Sequence, residues 1–185
     1  MPEGAGNVIY LNGASSSGKT SIAKELQRAA REPYLHVSVD GFLHQLPQSV
    51  LADHRALARE LPRLIAGFHS SAAAIARAGN NIIVDSVLQE PSWVVPCAQA
   101  FQGLDVLFVA VRCSLETLER REVERGDRHR GMARYQHDRV HSHGTYDVEV
   151  DTSAMPLDVC VCRILEAARS GTTPSAFRKL ATGSD

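Results

Sequence analysis

Val8-Ile9-Tyr10-Leu11-Asn12-Gly13-Ala14-Ser15-Ser16-Ser17-Gly18-Lys19-Thr20 passes from a short apolar run into a glycine- and serine-rich turn. Val8 to Leu11 is rich in strand formers and is stopped at once by the turn, which predicts a buried strand. Gly13 through Thr20 satisfies the pattern G-x-x-x-x-G-K-[ST] in full. In that pattern the glycines let backbone N–H groups curl around phosphate oxygens. Lys19 is placed to neutralise the β- and γ-phosphates and Thr20 to offer its hydroxyl to Mg²⁺. A helix beginning there points its positive dipole end at the anion. Gly13, Ala14, Ser15, Ser16, Ser17, Gly18, Lys19, Thr20 and Ser21 are therefore the candidate nucleotide-binding residues. A chance glycine-serine loop would match the bare pattern, but here a predicted strand precedes it and a predicted helix follows.

The helix is legible in Ile22, Ala23, Leu26, Ala29 and Ala30, which share one face, and it ends near Glu32-Pro33 because proline cannot continue it. Leu35 to Val39 predicts a second strand that terminates in Asp40. The segment from Asp53 to Ala78 carries apolar residues at three- and four-residue intervals with Pro62 inside, which fits one long helix or two shorter ones. Ala78-Gly79-Asn80-Asn81 stops it, and Ile82-Ile83-Val84-Asp85 and Asp105 to Val111 predict two further strands separated by a short helix over Pro91 to Phe101. Ser114 is a candidate N-cap for a helix from Leu115 to Glu124, with Thr117 where a capping-box glutamate would stand. Tyr146 to Asp151 alternates like a strand, Pro156 to Ala168 reads as a helix, and the Thr/Ser/Gly-rich end, roughly 171–185, reads as a fraying tail. Apolar strands alternating with helices predict an α/β fold, a three-layer α/β/α P-loop nucleoside-triphosphate hydrolase (kinase-like) architecture with a parallel central sheet.

Composition narrows the function classes. The 185 residues, 44% hydrophobic and 22% charged, fit a single globular domain over 1–185. Twenty basic and 21 acidic side chains leave a formal charge of -1, which gives no footprint for gripping nucleic acid or an anionic membrane. No secretory signal or membrane span is recognisable, so a cytoplasmic protein is expected. Cys97, Cys113, Cys160 and Cys162 make neither a disulfide framework nor a CxxC metal pair and read as reduced core thiols.

Ligands of open α/β sheets bind beyond the carboxyl ends of the strands, where Asp40 and Asp85 both fall. Transfer to an alcohol needs a base on the attacking hydroxyl, and a second carboxylate commonly helps hold Mg²⁺ and its waters. Asp40 is assigned as the base and Asp85 as the metal helper beside Thr20, because an apolar strand ending in aspartate is the usual source of that carboxylate. Either aspartate could instead cap the helix that follows it. Residues 120–131 gather Arg120, Arg121, Arg125, Arg128 and Arg130 around Gly126 and Gly131, the pattern of a cationic lid spanning roughly 120–135. Arg125 and Arg128 are the candidates for contacting the transferring phosphoryl group, whereas Arg120 and Arg121 fit a solvated helix with weak Glu–Arg pairs. His137, His141 and His143 cluster without the carboxylate or cysteine spacing of a zinc site and read as surface or acceptor-contacting histidines.

These residues resemble the chloramphenicol phosphotransferase-like proteins, P-loop enzymes that phosphorylate a hydroxyl of that antibiotic. The resemblance rests on Ile9 to Thr20, Val39-Asp40 with Leu46-Pro47, Ala76-Arg77-Ala78-Gly79 before Ile82 to Asp85, and Val111-Arg112-Cys113. Arg125-Gly126-Asp127-Arg128, Gly131-Met132-Ala133, His141 and Tyr146 to Thr152 extend it over most of the chain. It implies that Asp40 corresponds to the family's catalytic base and that Arg125 and Arg128 belong to its nucleotide-closing segment. The chain departs from the family at Asp85-Ser86, where two consecutive aspartates can stand, and at Val87 to Glu90. The stretch from Asp40 to Ala72 carries His44, His54 and Arg55, more basic than a pocket for a neutral nitroaromatic is expected to be.

The expected activity is thus transfer of the γ-phosphate of ATP, with Mg²⁺, to a hydroxyl of a small molecule, with antibiotic modification implied by the resemblance. A sugar, nucleoside or other metabolite kinase has the same core, and a nucleotide-binding switch acting through a partner is the alternative from another class. No nucleic acid or membrane partner is expected, and a homo-oligomer is left open.

Overall fold

The computed structural model describes residues 4–125, 131–170 and 173–182. Five strands, β1 (Val8–Asn12), β2 (Leu35–Ser38), β3 (Ile82–Ser86), β4 (Val106–Arg112) and β5 (Val148–Asp151), form one sheet in the order β2-β3-β1-β4-β5. Every pairing is parallel, so helical crossovers must cover both faces. The two faces can be read from β1 alone. Val8 and Tyr10 enter one core with Phe68, Ala72, Cys97, Phe101 and Phe108, while Ile9 and Leu11 enter another with Ile22, Leu26, Val109, Val111 and Ile164.

The first core lies under α4 (His54–Arg77) and α5 (Pro91–Ala100), and the second under α1 (Lys19–Ala29) and α8 (Leu157–Arg169). This is the three-layer α/β/α sandwich expected from the alternation of elements. α4 is one continuous helix of 24 residues that tolerates Pro62 in its interior, and Asp53 caps it by accepting the N–H groups of Arg55 at 2.8 Å and Ala56 at 3.2 Å. α6 (Leu115–Arg125) starts as expected, with Ser114 Oγ accepting the Thr117 N–H at 3.3 Å.

Three expectations need correction. The tail does not simply fray: Ala176–Thr182 forms a helix, α9, whose Phe177 packs at ring-centroid distances of 5.1 Å from Tyr10 and 4.7 Å from Phe108. Its polar neighbours hid one aromatic anchor, and the Asp147 carboxylate fixes the helix start by accepting from Ser175 N at 2.8 Å and Ala176 N at 3.0 Å. Cys162 is exposed, whereas Cys97, Cys113 and Cys160 are buried, because residues two apart on a helix face different ways. β2 stops at Ser38 rather than running to Val39. Ser38 Oγ accepts the Gly41 N–H at 3.1 Å and begins the short helix α2 (Val39–Leu43) directly, so Asp40 lies in a first helical turn. Among the described residues no helix is long and apolar enough to cross a membrane.

Candidate active site

The loop between β1 and α1 is held tightly. A side chain at Gly13 would meet the Val111 carbonyl oxygen at 2.4 Å, and Gly18 adopts φ 91° at the N-cap of α1, a conformation glycine reaches without strain. Lys19 is buried, and its Nζ donates to the Ala14 carbonyl at 2.9 Å across the loop. Ser15 N donates to Gln136 Oε1 at 2.6 Å, and Ser17 N to the Ala14 carbonyl at 3.2 Å. Among the described residues the hydroxyls of Ser16 and Ser17 are buried and find no hydrogen-bond partner, a property that suits a loop built to hold an anion.

Asp85, in β3, is buried beside this loop. Thr20 Oγ1 donates to its Oδ2 at 2.8 Å, Lys19 Nζ lies 4.0 Å from Oδ1, and His36 Nε2 lies 3.4 Å from Oδ2. Burial works against its charge, yet His36, the Lys19 ammonium and the Thr20 hydroxyl together hold its carboxyl below the ordinary value. Thr20 and Asp85 thus stand as two adjacent hard oxygen donors, the type that suits Mg²⁺. Among the described residues no cluster of three or more His, Cys, Asp or Glu could hold a metal by itself, so any ion there would complete its shell with phosphate and water.

One cavity of about 880 Å³ joins these parts. Ser15, Ser16, Gly18, Lys19, Thr20, Ser21 and Asp85 line its floor, and Asp40, half-buried in the first turn of α2, lines its side. Arg125, the last residue of α6, opens onto it beside Arg121, Glu124 and Thr152. The structure therefore brings Lys19, Thr20, Asp40, Asp85 and Arg125 to one space; Arg128 lies outside the described residues, as do 126–130 of the expected lid. The remaining wall carries an apolar stretch of Val39, Leu43, Leu57, Leu61, Ile65, Val87 and Trp93, interrupted by Gln89 and Gln136. His44, His54 and Arg55, which make the segment from Asp40 to Ala72 look too basic for a neutral nitroaromatic, are exposed and do not line the cavity. Apolar residues of α4 recurring every turn face inward, and their charged neighbours face water.

Several residues that the sequence left aside complete the site. Arg121 is not a solvated helix residue: its guanidinium donates to Thr152 Oγ1 and the Thr152 carbonyl at 3.0 Å each, and to the Ser16 carbonyl at 3.4 Å. Glu122 is buried and accepts from Gly131 N and Ala133 N, both at 2.8 Å, fixing the start of α7 (Met132–His137) against α6. Leu118 is also buried, and its spacing of three and four to Arg121 and Glu122 was the available signal. Asn12 ties the end of β1 to the loops above it, accepting from Leu88 N at 2.8 Å and donating to Tyr146 Oη at 2.8 Å and the Val140 carbonyl at 2.9 Å.

His141 and His143 are not free surface histidines. His141 Nδ1 is 2.7 Å from Tyr146 Oη, and His143 stacks on Phe108 with centroids 5.3 Å apart. Burial, aided by the Arg112 charge, lowers both to about 4, so they pack as neutral rings.

The chain is similar to known proteins over most of its length. The family model for chloramphenicol phosphotransferase-like proteins matches residues 6–169. "Putative O-phosphotransferase Rv2636" of Mycobacterium tuberculosis is 35% identical over 207 residues, covering 97% of this chain and 89% of that protein. Similar solved structures include the Mycobacterium tuberculosis APS kinase CysC in complex with AMPPNP and APS, with a TM-score of 0.70 and 16% identity over 90% of this chain and 99% of that one. A gluconokinase from Sinorhizobium meliloti 1021 superposes with a TM-score of 0.60 and 16% identity, covering 97% and 95%. The tunicamycin resistance protein of Deinococcus radiodurans does so at 0.66 and 18%, covering 91% and 98%. These likenesses establish a kinase-type fold. With the family match spanning most of its length, the chain belongs to the chloramphenicol phosphotransferase-like family and is a kinase-type phosphotransferase.

Proposed function

We propose that the protein transfers the γ-phosphate of ATP to a hydroxyl of a small, uncharged and largely apolar molecule. The observation that carries this reading is that the phosphate loop, the Asp40 carboxylate and an apolar wall line one cavity of about 880 Å³. Asp40 accepts the proton of the acceptor hydroxyl as its oxygen bonds to the γ-phosphorus, and the bond to the β-bridging oxygen breaks to release ADP. Lys19 spans the β- and γ-phosphates, Arg125 meets the charge that spreads over the transferring group, and Arg128 is assigned to the same task. Mg²⁺, held by Thr20 and the carboxylate of Asp85 directly or through water, would supply charge neutralisation on the phosphate oxygens.

Leu43, Leu57, Leu61 and Ile65 offer no partners for the several hydroxyls of a sugar, which would lose their hydration there. A hydroxylated, mostly apolar antibiotic fits the wall better and is the acceptor class to test first. Mass spectrometry of a panel of hydroxyl-bearing antibiotics, sugars and nucleosides incubated with ATP and Mg²⁺ should show one phosphorylated product. Asp40→Asn should lower turnover by about 10²- to 10⁴-fold and leave ATP binding nearly intact. Undiminished turnover in that variant removes Asp40 as the base; ATP binding without transfer to any acceptor, together with nucleotide-dependent binding of a protein partner, favours a switch.

A further inference from the structure

Gln136 belongs to none of the sequence motifs, yet it stands between the two halves of the cavity. Its Oε1 accepts the Ser15 N–H of the phosphate loop at 2.6 Å, and its Nε2 donates to Gln89 Oε1 at 2.7 Å. The side chain is only 6% exposed, and both glutamines line the cavity. Its orientation is fixed by chemistry, because a backbone N–H can face only the carbonyl end of the amide, leaving the NH₂ end for the Gln89 oxygen. α7 and the turn after it are tied to the same connection: Tyr135 Oη donates to Glu90 Oε1 at 3.0 Å, and Arg139, which lies 4.4 Å over the Tyr135 ring, approaches Glu90 Oε2 at 3.9 Å. Glu90 caps the start of α5, where Trp93 N donates to the Glu90 carbonyl at 2.9 Å and Trp93 forms part of the apolar wall.

We propose that Gln136 is a positioning residue that couples occupation of the phosphate loop to the acceptor wall through Gln89. The proposal rests on the phosphotransfer reading above. Ser15 has a single N–H. A phosphate oxygen forms a charge-assisted bond with it, stronger than the neutral amide bond it replaces. Gln136 Oε1, buried and deprived of its donor, must then find another, and turning the amide breaks the bond to Gln89. The donor nucleotide thereby resets the connection from Gln89 to Trp93 before the acceptor meets it. The glutamine carbonyl thus accepts the N–H that a phosphate oxygen would take.

Trp93 is the single tryptophan of the chain, so its fluorescence reports this wall without an acceptor. Titration of the wild-type protein with the non-hydrolysable analogue AMPPNP should shift Trp93 emission, with affinity measured in parallel by calorimetry. Gln136→Ala should bind AMPPNP about fivefold more tightly, because Ser15 N–H starts out free of its competitor, and should lose the emission shift. Gln89→Ala, on a half-buried connection that leaves the Ser15–Gln136 bond in place, removes the bond that nucleotide binding would break, so it should bind AMPPNP no more weakly than wild type and also lose the shift; it carries the test if Gln136→Ala fails to fold. A wild-type protein that binds AMPPNP without an emission change, or variants that keep the change, overturns the coupling. A wild-type protein that binds no AMPPNP overturns the phosphotransfer reading itself.

Discussion

A Cβ at Gly13 would come within 2.4 Å of the Val111 carbonyl oxygen and 2.8 Å of Ser17 Oγ, so alanine there must displace backbone. Gly13→Ala should weaken ATP binding by about tenfold or more, since the loop amides lose their common aim; calorimetry showing unchanged affinity would contradict the close packing. Asp85 is a different kind of residue, buried with Lys19, His36 and Thr20 directed at it. Asp85→Asn should lower transfer by roughly 10- to 100-fold, with the loss concentrated in the Mg²⁺ dependence. Titrating Mg²⁺ against rate distinguishes this from a general loss of structure, which would lower the rate at every concentration alike. At this scale the sequence showed the motif residues and Asp40 but not His36, Arg121 or Gln136, whose partners are far away in the chain.

Glu122 and Phe177 show how single side chains fix whole elements. Glu122→Ala removes the acceptor of two N–H groups at the start of α7 and leaves them without their charged partner, a loss of about 2–3 kcal/mol for α6–α7 docking. Turnover should fall while the global unfolding midpoint moves less, because α7 carries Gln136 and Met132 to the cavity; a variant with unchanged activity would remove α7 from the site. Phe177→Ala empties a position among Tyr10, Phe101 and Phe108. It should cost about 3–5 kcal/mol of stability in urea unfolding, whereas a freely fraying tail would cost almost nothing.

Across the whole molecule, three histidines share one electrostatic feature. Burial first, and the Arg112 charge for two of them, lowers His69, His141 and His143 to about 4 from an ordinary 6.5. Between those values the unfolded chain binds protons that the folded protein refuses. Stability from this source is therefore complete above about pH 6.5 and declines as the pH falls toward 4. Melting temperature followed over that interval should decrease steadily, and His69→Gln, which keeps a partner for the Tyr10 hydroxyl 2.9 Å away, should reduce the slope by about a third. A flat profile in the wild type would mean that these rings are not buried as described.

Local chemistry determined a large part of this protein. Period-two and period-3.6 patterns, the glycine loop and the apolar run ending at Asp85 depend only on neighbours in the chain, and they sufficed for the parallel α/β/α sandwich and for the expectation that Lys19, Thr20, Asp40 and Asp85 lie together beyond the strand ends. Only the tertiary structure decided the strand order, the half-burial of Arg121 and full burial of Glu122 in a charged segment, the docking of the tail helix and the apolar stretch that lines the cavity. Each of these is a choice of which face meets which, made by contacts between residues tens of positions apart, such as Ser15 with Gln136 and Tyr10 with Phe177. Periodicity shows that a face will be buried; it carries no term for the side chain that buries it.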